Sequence, residues 1–480
     1  MSGSQSDALA WSSWLEAARR IREGELSPVA YCEALLARIS RHDEFLNAFL
    51  TLNAEPALEA AAACEAARAR GESLGPMAGV PFGLKDIIDA KGLPTTAHSK
   101  ILTDNVARAN AHVTERLEGA GGILLGKLST HEFAFGGPCF DLPWPPARNP
   151  WDSRMFPGGS SSGSGAAVAA GFLPCALGSD TGGSVRNPAS MCGIVGLKAT
   201  YGRVSRRGVV PLSFSLDHVG PMTRTVEENA VLLEVIAGHD PLDPGSANRP
   251  AGQYRAAAIR GREEGIHGLR IGVIRHFYEE DLVAHPAVAK GIEDALEVMA
   301  GLGAEVETCR TRPLGEFADA NRVILLCEAF AVHESWMRTR PQDYARMTRE
   351  KLLPGAFLRA VDYVQGVRNR PRFTRELDRL LERFDVLVTA SSMDPPFPID
   401  DEAEVARCYP RQARAPFNLT GHPALSLPVG FYDREGHRAL PLSVQIVGRH
   451  FDEETVYRVA AAYEGATGWW QERRPGLAVA

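Results

Sequence analysis

The 480-residue chain has no C-x-x-C pair and no Cys/His grouping at zinc-finger spacing; its eight cysteines are scattered from Cys32 to Cys408. That excludes a disulfide scaffold and the usual zinc frameworks, and predicts reduced, mostly buried thiols in a cytoplasmic protein. Basic runs are also missing and the net charge is −7, so no nucleic-acid surface is expected. No uninterrupted apolar stretch approaches the length of a membrane span. The first residues, M-S-G-S-Q-S-D-A-L-A-W, lack both the basic and the apolar part of a secretory signal. No fixed-period repeat is present.

What is present is the composition of an ordinary globular protein, 45% hydrophobic and 23% charged, with enough apolar material for a large core. Ser27-Pro28 reads as an N-cap and first-turn proline ahead of a helical face of Val29, Cys32, Leu36 and Ile39. Leu58 to Arg70 reads as a second helix ended by Gly71, so residues 1–70 are expected to form a helical segment packed on the body, residues 71–480. Gly79 to Asp89 reads as a buried strand carrying Lys85. A helix from His112 and the strand I-L-L-G-K-L follow, the alternation of a largely parallel α/β sheet. Prolines keep Phe133 to Pro157 irregular. Beyond Lys198, short turns lead to a helix, Val226 to Ile236, and then to Asp240–Gly252, whose prolines and small polar residues predict an exposed excursion. A second α/β portion runs from strand Leu269–Ile274 to strand Asp385–Ala390. Two further strands, in F-N-L-T-G-H-P-A-L-S-L-P-V-G-F and L-P-L-S-V-Q-I-V-G, precede the last helix, Glu453 to Glu464.

The chain is organised around Phe156 to Lys198, where two Gly/Ser clusters, Gly158–Gly165 and Gly178–Ser184, flank a short helix, Ala166–Ala170, and a strand, Leu173–Leu177. Packed elements between the clusters make them clamped loops rather than linkers. Amide hydrolysis needs a nucleophile, a proton acceptor and donors for the oxyanion. In S-D-T-G-G-S, Gly182 and Gly183 turn the backbone before Ser184, leaving N–H groups to converge on a developing negative charge. Ser184 is the candidate nucleophile. No histidine lies near either loop in sequence, whereas Lys85 sits among Leu84, Ile87 and Ile88, where burial favours the neutral amine. Ser160 can pass the proton between them. A rival reading takes Gly159–Gly163 as a G-x-S-x-G elbow with Ser161 as nucleophile and His422 as base, but N-P-W-D-S-R-M-F-P cannot form the strand such an elbow requires. Asp180 and Arg186 read as an ion pair bracing the loop; His131, His218 and His422 read as structural or pocket-edge residues; Asp394 and Asp400 read as solvated.

P-G-G-S-S-S-G-S-G at Pro157–Gly165, G-S-D-T-G-G-S-V-R-N-P-A at Gly178–Ala189 and Lys85 in F-G-L-K-D resemble the amidase signature family of Ser–Ser–Lys hydrolases. Spacings of 75 residues from Lys85 to Ser160 and 24 from Ser160 to Ser184 fit that pattern. The likeness is strong over about residues 79–236 and weaker at G-H-P-A-L-S-L-P-V-G. Ser162, where many members carry glycine, departs from it. The resemblance implies one large α/β domain with a mixed central sheet covered by helices. It implies Ser184 as acyl-forming nucleophile, Ser160 as bridging serine on a cis peptide, Lys85 as base, and an oxyanion hole from Thr181, Gly182, Gly183 and Ser184. Ala134 and Phe135, with Ser160, would contact the acyl group. The expected reaction is hydrolysis of a small-molecule amide, carbamate or urea-like bond by water, with no metal or organic cofactor, no nucleic acid, no membrane, and a homodimer allowed. Phe133–Trp151 and Met393–Phe417 are the expected pocket walls. Within the family the alternative is the glutaminase component, the A component, of a glutamine-dependent tRNA amidotransferase. More distant is a binding protein that keeps the fold without catalysis. Chain length and the missing basic surface favour the free-standing amidase.

Overall fold

The computed structural model describes residues 3–433, 439–469 and 473–477. Among these described residues eleven strands form one sheet: β1 Phe49–Leu52, β2 Pro81–Lys85, β3 Ile123–Leu128, β4 Cys175–Asp180, β5 Val195–Lys198, β6 His218–Thr223, β7 Arg270–Val273, β8 Glu305–Thr308, β9 Val386–Ala390, β10 Ala424–Tyr432 and β11 Leu440–Val447. Their spatial order is β1-β3-β2-β4-β6-β5-β10-β11-β9-β7-β8. Most are buried on both faces, which is why they read as continuous apolar or small-residue runs rather than as alternating patterns. Helices cover both faces, giving a single α/β domain.

The sheet is mixed. The expectation of a largely parallel sheet holds only for β3-β2-β4 and for β9-β7-β8. Through the centre, β4-β6-β5-β10-β11-β9, every pairing is antiparallel. The N-terminal segment is not helical throughout: between the helices Pro28–Leu46 and Ala54–Ala69 it contributes β1, antiparallel to β3. Local signals do set the helix starts. Ser27 Oγ accepts from the Ala30 N–H ahead of Pro28, and Thr225 forms a reciprocal capping box with Glu228 at the start of the helix Val226–Ile236.

Both Gly/Ser clusters are more regular than the sequence indicates. Ser162–Ala169 is helical, its small side chains all buried, and β4 runs on to Asp180, taking in Gly178 and Ser179. Asp240–Gly252 is not an exposed excursion at its start: Asp240 accepts from Ser205 and Arg207, Asp243 accepts from the Arg206 N–H, and both aspartates are buried. Asp394 is likewise enclosed and paired with Arg411 at 2.7 Å, whereas Asp400 is exposed beside Arg148. The eight cysteines are free thiols, six of them buried. Among the described residues no helix is long and apolar enough to cross a membrane.

Candidate active site

Parallel strands β2 and β4 end side by side, with Leu84 opposite Leu177, so Lys85 and Asp180, their last residues, emerge at the same edge. Open α/β sheets place ligands at the carboxyl ends of parallel strands. The chain leaving β3 joins them there. The Gly163 N–H donates to the Ser129 carbonyl, and the His131 N–H donates to the Ser160 carbonyl. These bonds lay the first Gly/Ser segment over the strand ends. Gly158 has φ +82°, and any Cβ there would come within 2.5 Å of the Pro188 Cα. The Gly159–Ser160 peptide is cis.

Lys85 Nζ donates to Ser160 Oγ at 2.6 Å and to Ser179 Oγ at 2.8 Å. Lys85 and Ser160 are fully buried, while Ser184 is half-buried, so of the three only Ser184 reaches solvent. Burial lowers the Lys85 pKa to about 7, against the opposing pull of the Asp180 and Asp217 carboxylates. The second cluster is tied to the first by the Ser161 N–H, which donates to the Ser184 carbonyl at 3.2 Å.

Asp180 fixes the turn that presents Ser184. It accepts from the N–H groups of Gly183, Val185 and Arg186, from the Arg186 guanidinium and from the Asn418 amide. Arg186 reaches on to Gln445 Oε1 and the Arg414 carbonyl, and Asp180 and Arg186 have no exposed surface. Burial works against the Asp180 anion, but the Arg186 charge and these hydrogen bonds outweigh it and hold the carboxyl well below the usual range. The bracing pair read from the sequence is therefore present. Gly183, at φ +126°, leaves no room for a side chain, since a Cβ would lie 2.3 Å from Arg414 Nε. Its N–H is already given to Asp180 at 2.8 Å, which corrects its place as an oxyanion donor.

Ser161 does not behave as a nucleophile. Its buried hydroxyl accepts from the Ser179 N–H and donates to the Ser179 carbonyl, bracing the two clusters. His422 is engaged elsewhere, with Thr420 and Asp378. His131 is buried against Phe156 and Tyr409.

A cavity of about 510 Å³ opens beside the strand ends, reaching Ser179 and Thr181 at one end and lined further by Tyr201, Arg206, Phe214 and Asp217. Ala134 lines it; Phe135 is not part of its lining. The expected walls contribute only Ala134. Tyr201 to Val219 and Leu242 to Gly245 form most of the surface instead, because Asp240 and Asp243 are pulled inward by Ser205 and the arginines at 206 and 207. Thr181 Oγ1 donates to Asp217 Oδ1 at 2.6 Å, fixing the cavity end of the turn. Ser179 and Asp217 carry no signal of their role in the sequence, Ser179 because Gly178 reads as the start of a loop. Carrying the strand two residues further places that hydroxyl beside Lys85.

The amidase family model matches residues 30–457. The chain belongs to the amidase signature family. The A component of the glutamyl-tRNA(Gln) amidotransferase of Chloroflexus aggregans is 40% identical to it over 481 aligned residues, 95% of this chain and 96% of that protein. Two solved structures superpose over nearly all of the chain. The A component of the glutamyl-tRNA(Gln) amidotransferase of Thermotoga maritima is 33% identical with a TM-score of 0.78, covering 95% of each chain. The peptide amidase of Stenotrophomonas maltophilia is 29% identical with a TM-score of 0.83, covering 97% of this chain and 98% of that one. The chain is thus an amidase-signature hydrolase acting on carbon–nitrogen bonds. The expectation that nucleic acid is foreign to its work is overturned: a relative matching almost its whole length is named as one component of a tRNA amidotransferase.

Proposed function

We propose that the chain is the ammonia-releasing component of a glutamine-dependent amidotransferase acting in the cytoplasm. The observation that carries the chemistry is the buried Lys85 Nζ–Ser160 Oγ contact of 2.6 Å, on a segment tied to the half-buried Ser184 through the Ser161 N–H and the Ser184 carbonyl. Ser184 Oγ adds to the carboxamide carbon while its proton passes through Ser160 to the neutral Lys85 amine. The N–H groups of Thr181, Gly182 and Ser184 would serve as donors to the developing oxyanion. The lysine returns the proton through Ser160 to the nitrogen, ammonia leaves, and water, deprotonated along the same path, frees the acid from the Ser184 ester. The cavity lining carries both signs of charge, Arg206 and Arg207 with Asp217 and Asp243, which suits a zwitterionic amino acid such as glutamine. The 40% identity to the Chloroflexus amidotransferase component over 95% of the chain supports this assignment.

A second reading, a free-standing amidase for other small amides, is favoured by the higher TM-score with the peptide amidase, 0.83 against 0.78 for the Thermotoga protein. Ammonia release from glutamine, measured beside a panel of aliphatic and aryl amides and with the other amidotransferase components added, separates the two. Glutaminase activity that rises when those components are present supports the first. Turnover confined to non-amino-acid amides rejects it. Fluorophosphonate labelling of Ser184 tests the binding-only alternative, which requires that serine to stay unmodified.

A further inference from the structure

Away from the strand ends that hold Lys85, three segments far apart in sequence meet at Thr420. They are the helix Ala360–Arg383 through Asp378, the segment leading into β10 through His422, and the β11-to-helix connection through His450. A ligand atom of each lies within 4.8 Å of the other two. The hydrogen bonds around them determine where the imidazole protons sit.

Thr420 Oγ1 lies 2.9 Å from the Pro416 carbonyl and 2.9 Å from His422 Nδ1; with its hydrogen on the carbonyl, it accepts from His422 Nδ1. In that arrangement His422 Nδ1 carries the hydrogen. His450 Nε2 lies 2.9 Å from the Thr420 carbonyl, which is likewise only an acceptor, so His450 Nε2 carries the hydrogen there. A neutral imidazole has one N–H, which leaves a bare lone pair on His422 Nε2 and another on His450 Nδ1. Both point at the same carboxylate oxygen, Asp378 Oδ1, at 3.0 Å and 3.3 Å. A cation held between these three lone pairs would relieve their mutual repulsion, as a hydrogen on either ring nitrogen would for one pair alone.

We propose that Asp378, His422 and His450 bind a borderline divalent metal ion, zinc in the first instance, clasping the helix Ala360–Arg383 to the C-terminal strands. Two imidazoles and one carboxylate are donors that zinc accepts, and a tetrahedral site with bonds of about 2.0–2.1 Å spaces its ligands about 3.3 Å apart. The separations of 3.0 Å and 3.3 Å fall at that spacing. Thr420 supplies the outer hydrogen bonds, by hydroxyl and carbonyl, that fix both ring orientations. Asp378 and His450 are 43% and 30% exposed, so an ion has an entry path and room for water as fourth ligand.

The test uses the full chain stripped with chelator, then titrated with zinc by calorimetry and with cobalt(II) by visible absorption. His450→Ala and Asp378→Ala, at the exposed side of the site, avoid disturbing the buried His422. The expected result is one tightly bound ion per chain, cobalt d–d bands of a low-coordinate site, and a zinc-dependent rise in Tm, all lost in both variants. Thr420→Val, which keeps the carbonyl but loses the hydroxyl, should weaken binding about 10–100-fold. No binding by the wild-type chain, or equal stoichiometry and affinity in His450→Ala and Asp378→Ala, overturns the proposal.

Discussion

Lys85 owes its chemistry to where it ends a strand. An amine with no exposed surface and a pKa near 7 is largely protonated below that value, where it accepts no proton from Ser160. The sign follows directly: kcat/KM should rise with pH through about 7 and fall about tenfold per pH unit on the acid side, and a profile flat down to pH 5 would contradict the lysine base. Lys85→Ala should lose at least about a thousandfold in kcat while its circular dichroism stays that of the parent. Loss of folding with loss of turnover would leave the residue a structural role only. Arg186 makes a different contribution. Replacing it by leucine leaves Asp180 a buried anion without its counter-charge, and unfolding in urea should show a loss of about 3–5 kcal/mol, far more than for any exposed arginine pair here.

Single elements show which parts of the fold are written locally. The capping box at Thr225 joins Thr225 Oγ1 to the Glu228 N–H and Glu228 Oε2 to the Thr225 N–H, both at 3.3 Å, and Glu228 Oε1 also accepts from the Trp14 N–H. Thr225→Ala should therefore cost about 1 kcal/mol, and Glu228→Ala more, because it orphans a buried donor on a second helix as well. Equal losses in chemical denaturation would show the Trp14 contact to be immaterial. This helix is legible in the sequence at its observed bounds, Val226–Ile236, and the Ser27–Pro28 start is equally plain, since both depend on residues within one turn. The end of β4 is not legible: glycine and serine at 178 and 179 speak for a loop, and only pairing with β6, where Gly178 faces Gly220 and Ser179 faces Val219, makes them strand. Lys85, Ser160 and Ser184 stand out because their motifs are compact in sequence. The wall built by Asp240 to Gly245 is hidden because its aspartates find their partners at 205–207 only after folding. The Asp378, His422 and His450 grouping has no sequence spacing to betray it.

The molecule as a whole hangs on one continuous sheet whose edge is furnished by the first fifty residues. The N-terminal helices share an apolar cluster with Leu125, Leu128 and the small-residue helix Ser162–Ala169, including Tyr31, Leu35 and Ile39. A chain beginning at residue 54 would uncover that cluster together with the unpaired edge of β3, and it should be recovered as aggregate. A soluble monomer with the parental Tm would show the segment to be an appendage. The sheet's long-range order, in which β10 and β11 lie between β5 and β9, follows from contacts no local pattern encodes. The enclosure of Lys85 also sorts chemical reagents by size and target: an organophosphorus probe can reach residue 184, whereas trinitrobenzenesulfonate, which needs a free approach to nitrogen, should leave residue 85 untouched until the chain is denatured. That residue thus doubles as an internal reporter, silent while the protein is intact and reactive once it opens.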